Sequence, residues 1–340
     1  MEPVKVGVVG VGHMGQYHMK TYAEMRSVEL FGVADIDESR AKEVAHNYNV
    51  RWHLDYNDLI GSVDAVSIAV PTSSHYEVAK DFLEAGVHVL LEKPMTAEIK
   101  EAEELIAIAR RKGALLQIGH VERFNAAVGE LRRIVRDPFC IDANRLGPYN
   151  PRVKDVGVVM DLMVHDIDIV LGLVDSGIKE IATTGISVIS EHEDVASVQI
   201  LFENGCIANL TASRVAGNKQ RTLALAQEGA YIFLDYIEQD IAIGRQAYSS
   251  FYPPKGAETY PGQETHMERL SVHKVDQLKM EIKHFLECAA GRARPMVSLE
   301  NELRSLEVAV EVLHRMKDSR SRRSSRIGLG LYESIRGSAR

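Results

Sequence analysis

The chain has 340 residues, 45% of them hydrophobic and 26% charged, an ordinary soluble make-up with room for two domains at roughly 150 residues each. Its formal net charge of −8 excludes a general nucleic-acid binder, which needs a clustered basic face. Cys140, Cys206 and Cys288 lie far apart with no CxxC pair, excluding a zinc ribbon or disulfide framework, and no signal peptide or membrane-length apolar run stands out, so a soluble cytoplasmic protein is expected.

Residues 4–9 (VKVGVV) read as a strand ending at glycine, and 13–25 as a helix. The alternation continues with apolar runs at 28–33, 65–70, 87–91 and 115–118, separated by helical patterns from Ser39, from His75 and over 97–112. Strands that are apolar on both faces and alternate with helices predict a doubly wound α/β domain with a parallel sheet, over residues 1–123.

After about Phe124 the pattern changes. Over 195–211, Val198, Ile200 and Phe202 alternate with Ser197 and Gln199, and Asn204-Gly205 predicts a type I′ hairpin turn. Further runs at 222–226 and 230–234 flank another Gly-containing turn, and helical patterns at 277–290 and 300–317 close the segment. Residues 124–317 are therefore expected to form an α+β domain with a large, mostly antiparallel open sheet. Residues 318–340, with Arg320, Arg322, Arg323 and Arg326 among serines, read as a solvated tail.

Gly10, Gly12 and Gly15 follow a predicted strand and open a predicted helix. In a dinucleotide loop the first glycine permits the turn, the second admits the pyrophosphate, and the third lets helix and strand pack closely. His13 and Met14 lie within that loop, at the helix N-terminus whose N–H groups face the phosphates. Asp35, about 20 residues on at the end of the second strand, suits the adenosine ribose hydroxyls and repels a 2′-phosphate. NAD is expected, and Arg40, close enough to offset that repulsion, leaves NADP open. A plain βα turn with an exposed acid is the alternative.

Two strands end in Pro71-Thr72-Ser73-Ser74-His75 and Glu92-Lys93-Pro94. Residues past the carboxyl ends of such strands line the ligand crevice, so Thr72, His75, Glu92 and Lys93 are cofactor candidates. Standing alone, Lys93 could equally be a surface lysine before a turn proline. In MDLMVHDID, Asp161, His165 and Asp168 fall on one helical face and Asp166 points elsewhere. A buried His among carboxylates is either structural or an acid–base group. Zinc is a third option, but no third strong ligand stands at suitable spacing, so no metal is expected.

Together VKVGVVGVGHMG, ADIDESRA, VPTSSH, LLEKPM, GHVERFN and DLMVHDID resemble the Gfo/Idh/MocA family of sugar and cyclitol oxidoreductases over nearly the whole chain. The resemblance implies a catalytic Lys93, an Asp161/His165 pair, a cis Lys93–Pro94 peptide, and dimers or tetramers that bury the open sheet face. GHVERFN and the segment from Arg152 through DIVL are similar to the branch of that family acting at C3 of UDP-N-acetylglucosamine, ahead of an aminotransferase in lipid A assembly. Many family members carry two or three glycines before the aspartate, whereas here the run is Gly157-Val158-Val159-Met160.

The expected chemistry is hydride transfer to the nicotinamide while a base removes the hydroxyl proton. His165 titrates near neutrality and is favoured as base, with Lys93 polarising the same oxygen and Asp161 orienting the sugar or the imidazole. Arg123, Arg152 and Arg214 are candidates for the diphosphate, because the guanidinium fork suits phosphate, and Asn125 for the sugar. A free sugar or inositol as substrate, or a non-catalytic NAD sensor on the same fold, are the alternatives.

Overall fold

The computed structural model describes residues 3–150, 156–248 and 263–317. Packing divides them into two units. One comprises the chain up to Gly129 with His273–Glu307, the other Glu130–Val272 with the residues from Val308 on.

Six strands of the first unit, β1 (Val4–Val9), β2 (Val28–Ala34), β3 (Arg51–His53), β4 (Ala65–Ile68), β5 (His88–Leu91) and β6 (Leu116–Ile118), form one sheet in the order β3-β2-β1-β4-β5-β6. Every pairing is parallel. The connecting helices are α1 (His13–Ala23), α2 (Glu38–Tyr48), α3 (His75–Glu84) and α4 (Ile99–Lys112). The order reverses direction between β1 and β4, and such switch points place a crevice at the strands' carboxyl ends. This is the expected doubly wound domain. The three-residue β3 (Arg-Trp-His) carries no apolar run and gave no signal in the sequence.

The second unit carries β7 (Cys140–Leu146), β8 (Ile178–Ile186), β9 (Val195–Phe202), β10 (Ile207–Ser213), β11 (Gln220–Gln227), β12 (Ala230–Asp235), β13 (Asp240–Tyr248) and β14 (Gln263–Leu270). They make one sheet ordered β14-β13-β12-β11-β7-β10-β9-β8, antiparallel throughout except for β7 beside β10. Ile141 and Ala143, Val198 and Ile200, Leu210, Leu223 and Leu225 point to one buried face, which contacts α6 (Val164–Leu173) at β7 and β10. Alternate residues such as Tyr231 and Phe233 are exposed on the other. The turn after β9 departs from the type I′ expectation. Of Asn204 and Gly205 only Gly205 takes a positive φ (87°), and its amide donates to Phe202 O at 3.0 Å, closing the turn around Glu203 and Asn204. Asn204 keeps its ordinary backbone and accepts the Cys206 amide on its side chain, so glycine alone supplies the left-handed step.

The boundary at 123/124 and the assignment of 124–317 to one domain also differ from the packing. The units part within α5 (Ala126–Ile134), and α7 (Gln277–Ala289) belongs to the first unit. Ile282, Phe285 and Leu286 of α7 complete the core formed by Val6, Val8, Met19, Tyr22, Val33 and Leu90, burial that a six-stranded sheet needs on its α1 side. A final helix, α8, spans 299–317. No described helix is long and apolar enough to cross a membrane.

Candidate active site

The first unit holds the dinucleotide loop. Gly10 has φ +81°, and a Cβ there would lie 2.7 Å from Ala69 O, so only glycine makes this turn beside β4. A Cβ on Gly15 would sit 1.9 Å from Gly10 O, which is the close helix–strand approach expected of the third glycine. Around Gly12 nothing lies within 4 Å of such a Cβ. Gly12 is also the N-cap of α1, with no side-chain cap and no acidic residue in the first turn. The orphan N–H groups of α1 thus face an open space that an anion can fill, and the loop fits a dinucleotide pyrophosphate. His13 and Met14 are exposed at this end, with the His13 ring edge-on to Tyr17.

Asp35, at the end of β2, is nearly buried. Its Oδ2 accepts the Val11 amide and its Oδ1 the Asp37 amide, both at 2.9 Å. Arg40 lies 3.3 Å from Asp35 and 3.0 Å from Asp37, so its charge is shared between two carboxylates.

The turn after β5 carries Lys93, half-buried, joined to Pro94 by a cis peptide. Glu92 is buried, and its Oε1 lies 3.0 Å from Nε2 of the fully buried His18 on α1. Burial opposes ionisation of Glu92, but the His18 hydrogen bond and the charges of His18 and Lys93 outweigh it and hold the carboxyl below its usual range. The ionised carboxylate only accepts, so His18 Nε2 carries the proton. Thr72 sits half-buried in the short 3-10 turn Thr72–Ser74 after β4. His75 is buried, with Nδ1 2.8 Å from Pro94 O and Nε2 3.0 Å from Val70 O. Burial pulls its pKa down despite those carbonyls, so the ring is neutral near pH 7 and donates to one of them at a time.

Elsewhere in this unit Arg123, in the turn Val121–Phe124, makes a two-pronged ion pair with Glu302 and is 6% exposed. Asn125 is buried, and its side-chain oxygen accepts the Ala127 amide at 3.0 Å, capping α5. Glu281 on α7 is fully buried, and neither of its carboxyl oxygens has a hydrogen-bond partner among the described residues. Burial first, then the charge of Glu92, pushes its pKa well up, so it is a neutral acid.

In the second unit Asp161 lies in a π-helical turn, Val159–Met163, that runs into α6, where His165 sits in the first turn. Both are half-buried. Such π turns are rare and recur at functional sites. Glu193 shapes this one. Its carboxyl accepts the Val159 amide at 3.2 Å, and a Cβ on Gly157 would fall 2.0 Å from Glu193 Oε1. Val158 and Val159 are fully buried, so of this run only Gly157 is sterically required. Asp166 does point away, pairing with buried Arg145 at 2.8 and 2.9 Å beneath Tyr236. Asp168 is buried. Arg214 donates to Asp194 at 2.7 Å, Ser190 at 2.6 Å and Val156 O at 3.0 Å. Burial alone would raise the pKa of Asp194, but three backbone N–H groups and Arg214 hold it far below the carboxylate range. Two of the three arginines expected at a diphosphate are therefore in buried ion pairs, and Arg152 lies outside the described residues, as does the 318–340 tail. Sequence reading missed His18 and Glu193, whose partners are remote in the chain, and Glu281, whose burial no local pattern announces.

Comparison with known proteins completes the picture. Residues 4–120 match the family described as an oxidoreductase family with NAD-binding Rossmann fold, and 117–232 the Gfo/Idh/MocA C-terminal domain. A UDP-N-acetylglucosamine 3-dehydrogenase of Acidithiobacillus ferrooxidans is 36% identical over 295 residues, covering 86% of this chain and 90% of its own. A solved structure of that enzyme superposes with TM-score 0.84 over 94% of this chain and 99% of the other, at 34% identity. The scyllo-inositol 2-dehydrogenase (NAD(+)) of Bacillus subtilis is 25% identical over 93% of this chain and 94% of its own.

Proposed function

Because the chain belongs to the Gfo/Idh/MocA oxidoreductase family and carries its NAD-binding domain, we propose that it oxidises a nucleotide sugar, UDP-N-acetylglucosamine at C3, and passes the ketone to an aminotransferase. The bound nicotinamide supplies the hydride acceptor. His165 takes the hydroxyl proton, Asp161 orients the sugar or the imidazole, and Lys93 is the hydrogen-bond donor that polarises the reacting oxygen as it gains carbonyl character. The proton leaves His165 for solvent, so each turnover gives ketone, reduced cofactor and one proton. The 36% identity to the 3-dehydrogenase carries the choice of substrate. The half-exposed Tyr231 and Phe233 support a homo-oligomer formed on the open face of the eight-stranded sheet.

The test is absorbance of reduced cofactor with NAD and UDP-N-acetylglucosamine, pulled forward by trapping the ketone or by an aminotransferase. Turnover is expected there and not with myo-inositol or glucose. Turnover of inositol alone would overturn the assignment. The burial of Arg123 and Arg214 in ion pairs favours that second reading, a small neutral polyol, over a diphosphate ligand.

A further inference from the structure

The catalytic role of Lys93 depends on where its ammonium is held, and the lysine's own turn is short and sits at a strand end. Two buried histidines grip that turn from different elements. On one side His75 of α3 meets Pro94 O at 2.8 Å and Val70 O at 3.0 Å. On the other, His18 of α1 meets Glu92 Oε1 at 3.0 Å, with the His18 side chain fully buried. The second oxygen of Glu92 accepts the Lys93 amide at 3.3 Å, and a Cβ on Gly119 would come within 3.1 Å of that oxygen, so the carboxylate has little room to turn.

The two ends of the His18–Glu92 contact lie 74 residues apart in sequence. One end is on the helix whose first N–H groups form the anion site at Gly12, the other adjoins Lys93. A hydrophobic pair would fill the same space without an ionised group. A buried charge needs its partner, so the pair specifies geometry at some cost in desolvation. The charge of Glu92 is also one of the causes that keep the buried Glu281 uncharged.

We propose that His18 is a positioning residue: through Glu92 it couples the dinucleotide-binding helix to the Lys93 turn and sets the position of the lysine. The proposal rests on the reading of Lys93 as catalytic.

Three variants of the full-length protein test it, with Glu24→Gln as control, because Glu24, the C-cap of α1 at the end opposite Gly12, joins Lys279 of α7 in an exposed ion pair. His18→Leu removes the bond, His18→Gln restores a side-chain N–H at a similar reach, and Glu92→Gln turns a donor toward the Lys93 amide where the carboxylate accepted. Two readouts are independent. Hydrogen exchange of the peptide spanning Glu92–Thr96, in the free protein, reports the turn itself. Calorimetric NAD affinity beside kcat with UDP-N-acetylglucosamine separates binding from positioning.

His18→Leu and Glu92→Gln should speed exchange in that peptide and lower kcat by about tenfold or more, with NAD affinity within about threefold, since misplacing a catalytic group by ~1 Å can cost ~100-fold. His18→Gln should recover most of both, and Glu24→Gln should change neither. Unchanged exchange in His18→Leu, or kcat within about twofold of wild type, would overturn the coupling. So would failure of His18→Gln to recover kcat while it regains thermal stability. If His18→Leu does not fold, Glu92→Gln decides alone. If UDP-N-acetylglucosamine is not turned over at all, the substrate assignment fails, and the exchange measurement still decides the coupling.

Discussion

The Asp35 carboxylate accepts the Val11 amide at 2.9 Å, tying the end of β2 to the middle of the glycine loop. The acid expected at the ribose thus also braces the loop expected at the pyrophosphate. Arg40 stands outside the pair, 42% exposed along its side chain and divided between Asp35 and Asp37.

Replacing Asp35 by Ala should therefore weaken NAD binding roughly tenfold, from the lost ribose contacts and a Val11 N–H left unpaired at about 1–3 kcal/mol. NADP should lose less, because the charge that repels a 2′-phosphate is gone and Arg40 is released toward it. Calorimetric titration with both dinucleotides checks this. Equal losses for the two would show that Asp35 does not select between them.

The three glycines should separate in their effects. Gly15→Ala forces a methyl to 1.9 Å from Gly10 O and should lower stability by about 3 kcal/mol or more, the upper range for overpacking. Gly12→Ala meets nothing within 4 Å and should melt near wild type, yet bind NAD at least about tenfold more weakly, since the methyl occupies the open space at the helix N-terminus. Melting temperature and NAD affinity, measured on both, distinguish the two roles. A Gly12→Ala protein with normal affinity would remove the pyrophosphate from this loop.

Glu281 gives the protein a stability that falls as pH rises. Its carboxyl, raised well above 4.5 in the folded state, stays protonated while the unfolded chain ionises. Its contribution is complete below the unfolded value of 4.5 and drains away, at about 1 kcal/mol per pH unit, until the folded pKa is passed. Glu281→Gln keeps a neutral group of the same shape and should be more stable than wild type at pH 8, with the difference shrinking toward pH 4. Denaturant unfolding at the two pH values measures it. A gap that does not change with pH would mean that Glu281 is not the group responsible.

Arg214→Leu should act on folding before it acts on substrate. It leaves Asp194 buried without its cation, a change worth roughly 3–5 kcal/mol, softened here by the amides of Val188, Ile189 and Ser190. A stable variant with only a raised KM would return Arg214 to the diphosphate site.

The parallel domain was legible because each of its longer strands is a short apolar run closed by a turn, and the glycine loop could be read because all its parts lie within about 30 residues. In the second unit β9 to β12 alternated cleanly. β7, with Asp142 and Arg145, and β8, with Lys179, Glu180 and two threonines, are broken by polar residues and did not. The structure adds partners to the candidate residues. Arg123 as a diphosphate ligand was a sound inference from its chemistry, but Glu302 lies 179 residues away and nothing local announces it. His18 was hidden for the same reason, and the π turn at Asp161 because helical spacing presumes 3.6 residues per turn.

The α7 segment that completes the first core is synthesised only after every strand of the second sheet. Until residues 282–286 emerge, the α1 side of the nascent sheet presents Val6, Val8, Tyr22 and Leu90 without their cover. The dinucleotide-binding unit therefore cannot complete its core before the second sheet has been synthesised. Nor can a fragment cut at residue 129 be expected to substitute for it: the nucleotide fold is closed only by a chain that has already passed through the second unit.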